Sequence, residues 1–480
     1  MHKYFDIQLR HAIYFVLRLD QLNKMYLRGG ENIATALKLI IEDWENIKLG
    51  QAWAAKNSRS NPKAAELTVD YPDAGTQILL LYQHPLQRIE WRKAALAVSQ
   101  QLNHTAAEGA HLANLGLAYL DLGQLPQAVD YFLPALEKLT SVNDQKGVVV
   151  VHINLGNAYL LMGQAEDAMQ QFEQALQLSR HINDRRSQGN ALVGMGSILV
   201  TSRRLNEAID LYQQALRIIR EIKNKRAEAT LLADIGIAYL EIGQFHQAQN
   251  WFKEALLIAR NIGDQDIEFH CVSNIGRVYL NLGNYHQARD YFDEALHLAT
   301  AMENARNRAI ALGNLGFVCE NLGDLKDAAT DYQEALTIFQ QINDQTHLGH
   351  TLLNLSSVFL KSDDVQLALM LSLKAYRIAR NIKDSATLVN VLGIQGTVYQ
   401  LWHKYRRAQC LYEQQFKLAG LANYVRGQGA ALWNLALVYS EQGDRQKAIE
   451  FGNKALEIYD TREYPELALI KKQLAEWLKE

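Results

Sequence analysis

The chain has almost no net charge, few cysteines and no long apolar run. A formal charge of −3 over 480 residues creates no field that would draw nucleic acid or an anionic membrane surface, so neither is expected as a partner. No apolar stretch approaches the length that crosses a bilayer. The opening residues, Met1 to Arg10, are mixed and polar, which predicts no secretory signal. Cys271, Cys319 and Cys410 are the only thiols. Their spacing excludes a disulfide framework, and all three are expected to be buried and reduced in a cytoplasmic protein. No G-x-x-x-x-G-K-[ST] loop occurs, so nucleotide binding of that kind is excluded.

What remains is a folded composition, 48% apolar and 21% charged, arranged with strict periodicity. From residue 110 to 460 the chain repeats nine times with a period of forty and no insertion or deletion. One column reads Gly116, Gly156, Gly196, Gly236, Gly276, Gly316, Ser356, Gly396, Ala436. Twelve residues on, every copy has alanine, from Ala128 and Ala168 to Ala448. A fixed period of this size marks stacked supersecondary units, none of which can bury its apolar face alone.

Residues 151 to 190 show the unit. Leu155, Ala158, Tyr159 and Met162 follow the three- and four-residue spacing of a helix face, and Gly163 ends that helix. A second helix is predicted from about Ala165 to His181, with Ala168, Phe172, Ala175 and Leu176 inward. Asn183-Asp184 then caps the next helix. Gly156 and Ala168 leave room for large neighbours such as Tyr159 and Phe172. The Tyr159 column (Tyr119, Tyr239, Tyr279, Tyr399, Tyr439 among its members) is expected to pack rather than bind.

Leu155, Gly156, Tyr159, Ala168, Phe172 and Ala175 stand in the order and spacing of the tetratricopeptide repeat signature, which this array resembles. The family norm is about thirty-four residues; the forty-residue form is similar to kinesin light chains and Pins-type adaptors. The resemblance implies an all-α, right-handed superhelix, an α-solenoid of nine to ten helix-turn-helix repeats, whose concave groove binds peptides. In the N-terminal part, the strings LRHAIYF, YLRGGENI, DWENIKLGQAWAA and HPLQRIEWRKAALA resemble segments that precede such arrays in bacterial NB-ARC and STAND signalling ATPases. That likeness implies the sensor arm of a switch whose nucleotide-binding motor this chain does not contain.

The domain boundaries follow. Residues 1–63 are expected to form an N-terminal helical cap, with helices over His2–Leu27 and Ile33–Lys56 separated by Gly29-Gly30. A looser stretch is expected around Ser58 to Pro62 and at Tyr71-Pro72. Residues 64–104 read as a degenerate repeat whose second helix is Leu86–Leu102. The nine repeats fill 105–460, and 461–480 closes the stack with one helix that begins at Pro465. Its stripe Leu467, Leu469, Ile470, Leu474 and Leu478 should face the array, with the charged side in water. That charged end argues against end-to-end assembly and for a monomer. Inside the array Pro134 should kink its helix. The seventh and eighth copies drift: Ser356, Asp363 and His403 replace glycines, Ser372 replaces the aromatic and Gln415 an alanine, with Trp402 and Trp433 nearby.

The polar column just before the small residue is the candidate site. It reads Asn114, Asn154, Gly194, Asp234, Asn274, Asn314, Asn354, Ile394, Asn434. Asn and Asp are poor helix formers, so their recurrence mid-helix calls for a reason. An amide offers donor and acceptor together, which suits the backbone of an extended ligand; the alternative is that each bonds a neighbouring helix. In the resembled families this position faces the groove. Flanking columns that vary in character add Asn157, Arg277, Asn190, His270 and His350, and Arg277 with Asn274 and Asn314 is a candidate clamp for a carboxylate or phosphate. His347 and His350 lack partners at metal-ligand spacing, so no metal and no cofactor is expected. Helix-surface charges such as Glu228 and Arg306 are expected to be solvated. No nucleophile–base arrangement is evident, and the chain is expected not to be an enzyme. An extended ligand rising about 3.3 Å per residue past helices about 10 Å apart would place about three residues on each repeat.

Overall fold

A computed structural model describes residues 2–28, 31–460 and 467–479. Among these residues the regular structure is entirely helical, and the chain forms two compact units, Met1–Ile242 and Gly243–Glu480.

The first unit opens with α1 (His2–Arg28), α2 (Glu31–Asn57), α3 (Pro62–Ala74), the short α4 (Ile78–Tyr82) and α5 (Pro85–Gln101). The Gly29-Gly30 break lies outside the described residues. Tyr71-Pro72 is not loose: it is inside α3, because Tyr71 is fully buried and its hydroxyl donates to the Ala12 carbonyl at 2.9 Å. A Cβ on Gly50 would collide with that hydroxyl, so glycine there lets α1, α2 and α3 close on one ring. The repeats follow as α6 (Thr105–Asp121), α7 (Leu125–Ser141), α8 (Gln145–Leu161), α9 (Ala165–His181), α10 (Arg185–Thr201), α11 (Leu205–Glu221) and α12 (Lys225–Ile242). Pro134 does not interrupt α7, which has the same 17 residues as α9 and α11.

The second unit comprises α13 (Phe245–Ile262), α14 (Gln265–Asn281), α15 (Tyr285–Ala301), α16 (Ala305–Leu322), α17 (Leu325–Gln341), α18 (Gln345–Lys361), α19 (Val365–Ile382), α20 (Ser385–Leu401), α21 (Tyr405–Leu421), α22 (Val425–Glu441), α23 (Arg445–Asp460) and α24 (Leu467–Lys479). The expected start of the last helix at Pro465 lies outside the described residues. The inward stripe of α24 is offset from the expected one. Ile470, Leu474 and Trp477 are buried, whereas Leu469 and Leu478 are exposed. The reason is Gly452, which occupies the aromatic position of the last repeat: Leu474 and Trp477 fill the space that a ring fills elsewhere, and Trp477 stacks on Trp433 at 5.6 Å.

The seam inside each repeat is glycine against an aromatic ring. A Cβ on Gly156 would lie 2.8 Å from Phe172, and one on Gly276 would lie 2.7 Å from Phe292. Phe132, Phe172, Phe252, Phe292, Tyr332 and Tyr412 are all fully buried. The Tyr119 column packs across the same hairpin: Tyr119 stacks on Tyr131 at 5.2 Å and Tyr279 on Tyr291 at 5.4 Å. Cys271 and Cys319 are buried, but Cys410 is exposed, on the outer side of α21.

Among the described residues, each turn within or between repeats places one residue in the left-handed region. Within repeats these are Gly123, Gly163, Arg203, Gly243, Gly283, Gly323, Asp363, His403 and Gly443; between repeats they include Asn143, Asn183, Lys223, Glu303 and Lys383. The next residue but one then starts a helix, and Asp144, Asp184, Asp264, Asp344 and Asp384 each accept a backbone N–H there. The turn geometry is therefore constant even where glycine is absent, at a cost of about 1–2 kcal/mol for each side chain with a strained Cβ. Replacing Lys383 (φ +60) with glycine should stabilise the chain by about 0.5–1 kcal/mol. Gly323→Ala should destabilise it by about 1–2 kcal/mol, although a Cβ at Gly323 meets nothing within 4 Å. Guanidinium unfolding of both variants separates backbone strain from packing; equal midpoints would show that the turns are not strained.

Candidate functional site

First helices of successive repeats touch one another in each unit, α6 with α8 and α8 with α10, then α14 with α16, α18, α20 and α22 in sequence. Second helices pack on the first helices to either side. The first-helix layer is the closer-packed one, and a stack bends toward the side on which its helices lie closer. The polar column lies on this layer.

Its neighbours explain both of its exceptions. From Asn154 onward each column residue stands 22 positions after the second-helix ring position of the preceding repeat, and Gly194 meets its ring, Phe172, directly. Gly194 lacks a side chain because Phe172 leans into its place, leaving no room for a Cβ. Where Ser372 replaces the ring, Ile394 replaces the amide and packs into the same apolar cluster as Leu371 and Ala375. Tyrosine at the ring position brings a hydroxyl that must be satisfied. Tyr212 is 3.2 Å from the Ser197 hydroxyl, Tyr412 donates to Gln400 at 3.0 Å, and Tyr332 lies 3.3 Å from Glu320 and within reach of Asn354.

Among the remaining candidates, Asn114, Asn154, Asn157, Asn314 and Asn434 are half-buried. Among the described residues, none of these five side chains has a hydrogen-bond partner. Asn190 and His270 are exposed at the edge of the face. Asn274 is buried and accepts from Arg277 at 2.9 Å, which fixes the guanidinium on its own helix. Asn314 belongs to the next first helix, α16, and makes no bond to either. His350 does not stand alone: it lies 2.8 Å from Asp384, the cap of α20, and His347 is 2.9 Å from Asp344.

Of the two surface charges expected to be solvated, Arg306 is exposed and Glu228 is not. Glu228 is buried and bonds Arg220 at 2.8 Å and Lys225 at 2.7 Å; burial works against its charge, but the two cations hold its carboxyl below the ordinary range. Arg306 pairs with Asp344 at 3.1 Å, tying one repeat to the next. Glu320 was not foreseen. It replaces the leucine of Leu120, Leu160 and Leu280 and gathers Tyr332, Ser357 at 2.8 Å and Lys361 at 2.9 Å. The signal was available as the one acidic residue in a column that is otherwise leucine or valine up to Leu360, then Gln400 and Ser440. Equally unforeseen is a cavity of about 260 Å³ beside Asn114, lined by Gln83, Arg88 and Arg92. Its arginines stand one helical turn apart on α5. Among the described residues no group of His, Cys, Asp and Glu could hold a metal ion, and no helix is long and apolar enough to cross a membrane.

Models of the tetratricopeptide repeat match residues 89–181, 187–261, 268–341 and 429–461. The chain belongs to the tetratricopeptide repeat family. No curated protein sequence matches it. Solved structures do, at the level of fold. The apo form of RapI is 17% identical with a TM-score of 0.57, covering 75% of this chain and 99% of that one. A Rap protein complexed with Competence and Sporulation Factor is 18% identical with a TM-score of 0.53, covering 78% of this chain and 99% of that one. A Signal Transduction ATPase with Numerous Domains from Pyrococcus horikoshii, which has a tetratricopeptide repeat sensor, is 18% identical with a TM-score of 0.54. That match covers 73% of this chain and 53% of the archaeal one.

Within the tetratricopeptide frame, Asp234 is the one acidic member of the amide column. Burial raises its carboxyl from 3.8 to about 6. A raised carboxyl means that the folded state keeps a proton the unfolded state releases. Stability contributed by that proton is present below pH 3.8 and is lost as pH rises through about 6. Asp234→Asn should therefore match the parent at low pH and exceed it at pH 7.5 by about 1–2 kcal/mol, allowing for solvent screening. Guanidinium midpoints measured across that range check this; a pH-independent difference would refute the titration.

Proposed function

We propose that the chain is a non-catalytic scaffold that binds an extended peptide or protein segment on the first-helix face of its repeats. The observation that carries this is the set of five half-buried amides, Asn114, Asn154, Asn157, Asn314 and Asn434, whose donors and acceptors no protein group uses. If the column existed to stiffen the stack, these amides would bond neighbouring helices. Instead they leave hydrogen-bonding capacity on an otherwise well-packed face, in the form that suits a ligand's backbone. Fold likeness to a Rap protein with a bound factor supports the same reading. The proposal takes residues 105–460 as the binding array, 64–104 as a degenerate repeat, and 1–63 and 461–480 as its ends, in a cytoplasmic monomer.

The N-terminal strings and the fold of the archaeal sensor favour a second reading, in which this face senses a ligand on behalf of a nucleotide switch encoded beside it. Adding the chain to that neighbouring ATPase should then change its hydrolysis rate; a reading frame with no such neighbour counts against it.

The test of the first reading uses peptides selected against the whole chain from a random display library. Asn114→Ala with Asn154→Ala should weaken the selected peptides by about tenfold or more, equivalent to about 1.4 kcal/mol. The same pair should not lower stability, since alanine is the better helix former and no internal bond is lost. Unchanged affinity would sink the proposal, and so would a loss of helical circular dichroism.

A further inference from the structure

The cavity beside Asn114 is enclosed by the end of α3, the α4 segment, α5 and α6, all within the first unit. Its polar lining is unusual in what it leaves unpaired. Gln83 is only 4% exposed, and its side-chain Nε2 has no partner. Arg88 donates from Nη2 to Asp121 at 2.8 Å, but its Nε is buried and unpaired. Asn114 has both halves of its amide free. Arg92 bonds the Pro72 carbonyl at 2.6 Å, pairs with Asp73 and lies 3.1 Å from His111. It adds a second buried positive charge to the lining.

The two ion pairs are unequally exposed, and only their cations line the cavity. The Arg88 and Arg92 side chains are 12% and 9% exposed, whereas their partners Asp121 and Asp73 are 40% and 47% exposed. Solvent screens the more exposed carboxylates more than the buried guanidiniums, so the lining is positive although the formal charges cancel. Free donors in a positive interior call for an acceptor-rich anion. The remaining walls, Leu79, Leu80 and Leu117 among them, are apolar, and the volume holds a group about the size of one amino-acid residue. A buried amide left without a partner costs about 1–3 kcal/mol, so an empty cavity is destabilising unless something completes it.

We propose that this cavity binds a carboxylate that carries a short apolar group, with the side chains of Gln83 and Arg88, which line it, turning their unpaired N–H groups toward the ligand as donors. That chemistry is offered by a free short-chain acid and by the C-terminal residue of a peptide. The site shares Asn114 with the amide column but rests on Gln83 and Arg88, and its probes are too short to report on the rest of that column.

Isothermal titration calorimetry on the full chain tests it with four probes: 4-methylpentanoate, 4-methylpentanamide, N-acetyl-glycyl-leucine and the amide of that peptide. The acids should bind saturably, and each neutral amide about tenfold more weakly or worse. Tighter binding of the peptide acid assigns the site to a C-terminus; tighter binding of 4-methylpentanoate assigns it to a free acid. Gln83→Leu should lose the acids by about tenfold or more while its melting temperature stays level or rises, because an unpaired polar group has gone. Should that variant fold poorly, Asn114→Leu makes the same comparison from the other wall. No saturable heat with either acid at millimolar concentration overturns the proposal, as does equal binding of acid and amide.

Discussion

Everything in the array depends on one contact, a glycine on the first helix pressed against an aromatic ring on the second. The ring needs the missing Cβ to lie flat, and the helices approach closely only because it does. Burying a phenylalanine removes apolar area worth about 1.5–3 kcal/mol from water, and the contact recurs along the chain. Since the same ring is also covered by the following first helix, it joins repeats as well as hairpins. That is why the choice at Gly194 answers Phe172, and why Ile394 answers Ser372.

The ring also divides structure from candidate function within one column. Where the covering residue must fit a leaning phenylalanine or fill a void, packing selects it, as at Gly194 and Ile394. Where the ring is tyrosine, its hydroxyl recruits Ser197, Glu320 or Gln400. The amides that remain, Asn154 and Asn314 among them, are not used in either way. Their freedom is what separates a face able to receive a backbone from one merely decorated with polar residues.

Much of the fold was legible before the structure because helix faces, turn glycines and the small column all report local physics. Helix ends fell within a residue or so at Ala165–His181 and Pro85–Gln101. The misjudged points were those fixed by particular side-chain contacts or by which side of a helix faces out, neither of which the repeat pattern reports. Tyr71-Pro72 is helical because Tyr71 reaches Ala12, and Glu228 is buried because Arg220 and Lys225 reach it. The stripe of α24 is turned because Gly452 needs filling, and Cys410 is exposed because α21 has an outer side. The candidate column was readable as a pattern, yet which amides are free was not, because that depends on rings 22 residues earlier. The cavity at Arg88 could not be read at all, since it needs four helices to enclose it.

The constant turns carry a consequence for how such a chain tolerates change. Each repeat enters and leaves its helices through one left-handed residue, whether glycine, Asn183, Arg203 or Lys383, so the turns leave no slack to absorb a length error. An extra residue within a helix would rotate everything beyond it on that helix by about 100°. The glycine or the ring would then swing off the seam and the amide off its face. Substitution is cheap at most surface positions of this chain, but a one-residue insertion is not. The unbroken forty-residue count is the record of that intolerance.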